Sequence, residues 1–246
     1  MMFNWPVCPV QGRQLKDVRE EDIFGNFRFC DTYRGGGGYD QFPKIAKKRG
    51  LTCKGDIGTQ FVVQLYGCPL RCSYCYVTGD GVRGKFETYT SERLLGAYGR
   101  AFIARQAGVF HLMGGAPAIY HRHWPELLDH LDLDNMIFHS DLMLVEGSYD
   151  VYALRHSNRD NTLYAVNIKG VDAEDHFRNT GRKLDEEQFW FNLHCVVDSD
   201  INFYFTFTNP NREHLLPFMD RLAARYGDSV LDNCFMIDLV NYEALK

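Results

Sequence analysis

Apolar and polar positions follow two rhythms along this chain, and the change between them falls near residue 59. From there on, short apolar runs rich in β-branched and aromatic residues alternate with longer segments at helical spacing. QFVVQLY (60–66), VFHLM (109–113), part of MIFHSDLML (136–144), LYAVNIK (163–169), NFYFTFT (202–208) and CFMIDLV (234–240) are the predicted strands. Helices are predicted over 91–106, with Ser91 as an N-cap signal and a stop near Gly108, over 124–131, 149–156 and 186–197, and over 212–227 with an interruption at Pro217. Strands interleaved with helices in this way predict an α/β fold, a parallel sheet built from right-handed crossovers. Six β/α units form either an open sheet or a partial barrel, and periodicity does not choose between them. In both, functional groups collect at the C-terminal ends of the strands.

The chain before residue 59 reads differently. It is rich in Gly and charge, and its periodicity is weak, so residues 1–58 are expected to form an irregular N-terminal extension to a core domain at 59–246. One short helix is expected after Pro43, with Lys44, Lys47, Lys48 and Arg49 as its solvated face. The run RGGGGYD (34–40) has no strand before it and no GK[ST] after it, which makes it a loop rather than a phosphate cradle.

Composition narrows the function classes. Of 246 residues, 45% are hydrophobic and 24% charged, as in an ordinary globular protein, and the net charge of −5 argues against a broad nucleic-acid-binding surface. No apolar run is long enough to span a bilayer, and the N-terminus lacks the basic and apolar stretches of a signal peptide, so a cytoplasmic protein without membrane contact is expected. Eight cysteines are many for a reducing compartment. Cys8, Cys30 and Cys53 are scattered and lack cluster spacing, and Cys195 and Cys234 lie in apolar stretches as expected core residues. The aromatic run Phe203, Tyr204, Phe205 and Phe207 reads as sheet core.

Cys68, Cys72 and Cys75 are different. Within GCPLRCSYC (67–75) they put three thiols on one loop directly after the first strand of the β/α series. Thiolates are the soft ligands that iron–sulfur clusters need, and three rather than four leave one metal position open. A structural zinc site completed by His111 or a distant cysteine is the competing reading, but no second CxxC-like element is present.

The loop resembles the signature of the radical S-adenosylmethionine (SAM) superfamily, CxxxCxΦC with Φ aromatic, matched by Cys68, Cys72, Tyr74 and Cys75. The resemblance implies a six-unit partial (β/α)6 TIM-like barrel and a [4Fe-4S] cluster. In that family the unique iron chelates SAM, which is cleaved reductively to a 5′-deoxyadenosyl radical that abstracts hydrogen. Gly114-Gly115-Ala116-Pro117 is similar to the family's GGEP motif, where strand-end backbone meets the amino group of SAM, with Ala116 in the place of Glu. Ser140 and Asp141 stand at a strand end that meets SAM's ribose or carboxylate in related enzymes; a cap on the following loop is the alternative. His139 beside them reads as a satisfied core or rim histidine. Asn167 and Lys169 resemble the DxK strand of glycyl-radical-enzyme activating enzymes, with Asn in place of Asp; otherwise Lys169 is a lysine snorkelling from a strand end.

These likenesses imply an activase-like enzyme acting on a protein, peptide or small molecule, served by an electron donor such as flavodoxin or ferredoxin. An enzyme modifying a small metabolite or peptide is the second expectation, and a zinc-stabilised, non-catalytic binding module comes from another class. An activase needs an open groove for a partner loop, and a metabolite enzyme needs a closed pocket.

Overall fold

Parallel strands buried on both faces need apolar side chains on both, and the six runs read from the sequence meet that condition. The computed structural model describes residues 2–9, 20–31, 41–72, 74–75, 77 and 82–237. In it the six strands are β4 (Asp56–Val63), β6 (Ala107–Leu112), β7 (Ile137–Leu142), β8 (Thr162–Ile168), β9 (Phe203–Thr208) and β10 (Cys234–Ile237). Each pairs in parallel with the next, so the sheet order follows chain order. Residues 238–240 of the last predicted strand lie outside the described residues, as does the glycine run at 34–40.

Alternation along the strands sorts two layers. Phe61, Phe110, Phe138, Tyr164, Phe205 and Phe207 point to one side, where they pack with Leu94, Trp124, Leu193 and Leu222 of the helices. Those helices include α2 (Ser91–Arg105), α3 (Trp124–Leu128), α6 (Glu186–Asp198) and α7 (Arg212–Tyr226). The other, inner face is apolar in its N-terminal half and polar in its C-terminal half. Val109, Ile137, Leu163, Ala165 and Tyr204 meet Phe42, Ile45 and Ala46 of the helix α1 (Gln41–Lys48).

The described residues among the first 58 hold regular elements that their composition does not suggest. Besides α1, they form β1 (Trp5–Val7), β2 (Ile23–Phe24) and β3 (Phe27–Asp31). The β2–β3 hairpin joins the main sheet antiparallel to β4, and β1 pairs with β5 (Glu87–Tyr89). Trp5, Phe27 and Phe29 share the helix-side core with the parallel strands. As expected, Lys44, Lys47, Lys48 and Arg49 face solvent.

Two helix details also differ from the sequence reading. Thr90, not Ser91, caps α2 by accepting from the Arg93 N–H, while Ser91 Oγ accepts from the Trp5 indole at 3.1 Å. Pro217 lies inside an unbroken α7: near the helix start, one missing N–H does not end the helix. No helix among the described residues is long and apolar enough to cross a membrane.

Candidate active site

The cysteine loop leaves the sheet at the C-terminal end of β4 and is held by its backbone. The Gly67 N–H donates to the Val82 carbonyl at 2.7 Å, the Arg71 N–H to Thr180 at 2.9 Å and the Cys75 N–H to Cys72 at 3.1 Å. Arg83 donates to the carbonyls of Cys68 (3.3 Å) and Leu70 (3.0 Å), and Arg182 to that of Pro69 (3.2 Å). These bonds to the carbonyls of Cys68, Pro69, Leu70 and Cys72 pin this part of the loop.

The end of β6 closes against this loop. Ala116 N–H donates to Gly67 O at 2.7 Å. Gly115, at φ +61°, lies so close that a Cβ there would sit 2.3 Å from Leu65 O and 2.6 Å from Gly67 O. Only glycine allows that approach. Ala116 is fully buried with Leu70 and Met143, against the partly buried Cys68 and Cys72. Pro117 follows in the first turn of a 3-10 segment, Pro117–His123.

Cys68, Cys72 and Cys75 are each half-buried and unbridged. Burial pushes the Cys68 thiol up to about 11; the neighbouring Cys72 and Cys75 push it further the same way, as does Glu146. Burial and Cys72 also raise Cys75, whereas Lys169 and Arg83 lower it. Three neighbouring thiols in a partly dry site, with Cys68 and Cys75 raised by burial, suit a cationic centre that binds thiolates and offsets their charge. The donor set therefore fits an iron–sulfur cluster. Lys169 Nζ lies 5.7 Å from the centroid of the Tyr74 ring.

The remaining sequence candidates divide between the two faces of the sheet. Asp141 and Asn167 face inward; Asn167 Oδ1 accepts from Thr206 Oγ1, and the Asp141 side chain keeps 21% exposure. Ser140 points the other way. Fully buried on the helix side, its hydroxyl lies 3.5 Å from the Leu112 carbonyl and does not reach the cysteine loop's side of the sheet. His111, which a zinc reading would add to the cysteines, faces Asp141 on the inner face, with Nε2 3.9 Å from Oδ2.

Residues that the sequence reading did not single out complete the rim. Glu146 is a partly buried carboxylate beside Cys68; it accepts from the Met143 and Val145 N–H groups at 2.7 and 2.9 Å and from the Tyr149 hydroxyl at 2.8 Å. Burial raises its pKa above the usual carboxylate value, an effect those hydrogen bonds oppose. Asn192 pins the same loop, donating to Leu144 O and Gly147 O and accepting from Tyr149 N–H. A helix, α5 (Ala173–Thr180), ties the ends of β8 and β9 together. From it Asp175 accepts from the Val171 and Asn211 N–H groups at 3.1 and 3.2 Å, and Asn179 donates to Lys169 O at 2.9 Å and Thr208 O at 3.3 Å. Arg83, Glu146 and Asn192 lie in no motif. Only a contact across the fold makes them visible.

No family model matches the sequence, and no curated protein matches it. Solved structures do resemble it. SuiB from Streptococcus suis, crystallised with its precursor peptide SuiA, matches 85% of this chain and 45% of its own at 11% identity, with a TM-score of 0.54. QueE from Escherichia coli matches 96% of this chain and 93% of its own at 15% identity and a TM-score of 0.43. The enzyme anSMEcpe with bound AdoMet matches 71% and 49% at 15% identity and a TM-score of 0.46. The chain thus spans nearly all of QueE but about half of the other two. At such identities a likeness speaks for the fold, and SuiB, above 0.5, carries it. The chain shares an α/β fold with SuiB, and its cysteine loop (68–75) follows the first strand of the parallel series.

Proposed function

We propose that this protein is a radical SAM enzyme in which Cys68, Cys72 and Cys75 hold a [4Fe-4S] cluster. The observation that carries the reading is a trio of half-buried thiols, each within electrostatic reach of the others, on one backbone-pinned loop at the C-terminal edge of a parallel sheet. When bound, cluster and SAM supply a reductive cleavage that generates an organic radical; the protein supplies binding, orientation and exclusion of water. Gly114, Gly115, Ala116 and Pro117 would offer the strand-end backbone to SAM, and Tyr74 would flank the cluster. Asp141, Asn167 and Lys169 would face the cofactor from the inner side. Lys169, together with Arg83, adds positive charge near Cys75, which favours an anionic cluster and a carboxylate ligand. We read the six parallel strands as the staves of a partial barrel, and the electron as coming from a small redox protein of the flavodoxin or ferredoxin kind.

Among substrates, a small polar molecule is the better fit. The inner face beside the cysteine loop is lined by Gln60, Gln64, His111, Thr206 and Thr208, all at least nine-tenths buried. α1 covers the sheet below them with Phe42, Ile45 and Ala46. Such a lining suits a metabolite-sized group more than the loop of a partner enzyme, which would favour the metabolite reading over the glycyl-radical activase.

The test is anaerobic. Reconstituted protein should contain iron and sulfide in equal amounts and, on reduction, release methionine and 5′-deoxyadenosine from SAM. Cys72→Ala should lose both properties. A colourless protein with stoichiometric zinc, or SAM cleavage undiminished in Cys72→Ala, refutes the proposal.

A further inference from the structure

Three ligand-bearing side chains converge on the inner face, on the two strands that follow, in sheet order, the one that leads into the cysteine loop. His111 on β6 and His139 on β7 are register partners, and Asp141 lies two residues further along β7. One donor atom from each lies within 4.8 Å of the other two. A common centre then lies within about 2.8 Å of all three, so small rotations bring it to the usual ~2.1 Å of a metal–ligand bond.

The hydrogen bonds around the histidines leave one nitrogen of each ring without a partner. His111 Nδ1 donates to Gln60 Oε1 at 2.6 Å, which leaves Nε2 with its lone pair toward Asp141. His139 Nε2 is bonded to the Tyr204 hydroxyl at 3.1 Å, which leaves Nδ1 facing inward. Both of these second nitrogens are buried without a hydrogen-bond partner, and the two residues are only 3% and 4% exposed. A buried lone pair facing a carboxylate oxygen at 3.9 Å is repulsive, and either a proton or a metal ion between them relieves it. A ring nitrogen fixed by an outer partner, with the opposite nitrogen presented, is also the arrangement that orients metal-bound histidines.

We propose that His111, His139 and Asp141 form a binding site for one divalent first-row transition-metal ion, separate from the cysteine cluster. Two imidazoles and one carboxylate favour zinc, iron, cobalt or manganese over magnesium or calcium, which prefer oxygen-only sets. Three protein ligands leave further coordination positions for an oxygen donor. Phe42 of α1 packs on the His139 ring at 4.5 Å and closes the site on that side. Two residues beyond Asp141, Met143 packs with Leu70 under the cysteine loop. The ion therefore lies between the α1 cover and the cysteine loop, along the lining assigned above to the substrate. Its role in holding a substrate oxygen rests on the proposed function; its existence does not.

The two are separated by testing the full-length Cys68→Ala/Cys72→Ala/Cys75→Ala protein, which carries no cluster. Titrated anaerobically with Co2+, it should bind one equivalent with visible d–d absorption and no near-ultraviolet thiolate charge-transfer band. His111→Ala and His139→Ala, introduced singly and checked for native circular dichroism, should each weaken binding about 100-fold, and Asp141→Asn about tenfold. Should the histidine variants not fold, zinc K-edge absorption of the histidine-intact protein must show two imidazoles and no sulfur. Absence of stoichiometric binding, a thiolate band, a sulfur shell, or an affinity unchanged by the histidine substitutions overturns the site.

Discussion

Ala116 and Gly67 meet through a 2.7 Å hydrogen bond, from the N–H at the end of β6 to the carbonyl just before Cys68. That bond fastens the cysteine loop to the neighbouring strand end, and it depends on Gly115 for the approach. In Gly115→Ala the new methyl meets Leu65 O, and the residue must keep a φ that L side chains avoid. We expect a loss of about 2–4 kcal/mol in apo-protein stability together with poor iron incorporation. Urea unfolding and iron analysis check this; a variant with wild-type stability and iron content would show that the approach is dispensable.

Lys169 is the charged side chain that meets both Tyr74 and the electrostatic field of Cys75. If it pairs with the SAM carboxylate, Lys169→Ala should raise the KM for SAM about tenfold while kcat changes little, equivalent to ~1.4 kcal/mol of lost uniform binding. Steady-state SAM cleavage at saturating reductant measures it. Unchanged SAM kinetics would return Lys169 to the role of a strand-end lysine with a solvated head.

The strands were legible because parallel strands buried on both sides read as near-continuous apolar runs, as in FVV (61–63) and LYAV (163–166). The N-terminal hairpin was not, although Gly25-Asn26 between Phe24 and Phe27 is a two-residue turn signal; strands of two and five residues are too short for periodicity to register. The cysteine loop was legible because its ligands are local. Ser140 and Asp141 illustrate the opposite case. Neighbours on a strand point to opposite faces, so the two cannot both reach the cofactor side, and only Asp141 faces it. His139 read as an ordinary core histidine because its partner, Tyr204, and its neighbour, His111, are 65 and 28 positions away; its open Nδ1 is visible only once the sheet is assembled.

Asp175 joins the loops after β8 and β9 by accepting from two backbone N–H groups while almost wholly buried. Asp175→Ala removes the acceptor and leaves the Val171 and Asn211 donors in a dry site. A destabilisation of about 3 kcal/mol is expected, read from urea unfolding of the apo-protein. A change below about 0.5 kcal/mol would mean that water replaces the carboxylate and that the two loops do not rely on it.

His176 gives the fold a pH dependence of defined sign. It is 2% exposed, and its backbone nitrogen would lie 2.2 Å from a Cβ at Gly170, so the helix α5 packs directly on the turn after β8. Burial lowers its pKa from 6.5 to about 4; Lys169 acts in the same direction and Asp175 against it. Above pH 6.5 the imidazole is neutral in both folded and unfolded chains and imposes no penalty. As pH falls below 6.5 the unfolded chain takes up a proton that the native one refuses, and stability declines until the folded pKa near 4 is passed. Over that window the loss is on the order of 3 kcal/mol. His176→Gln cannot take up this proton. Urea unfolding of the apo-protein at a series of pH values from about 7 to about 4.5 should therefore show a slope shallower by nearly one proton in the variant. Parallel profiles would mean that the native structure opens enough around the imidazole to protonate it at its ordinary pKa.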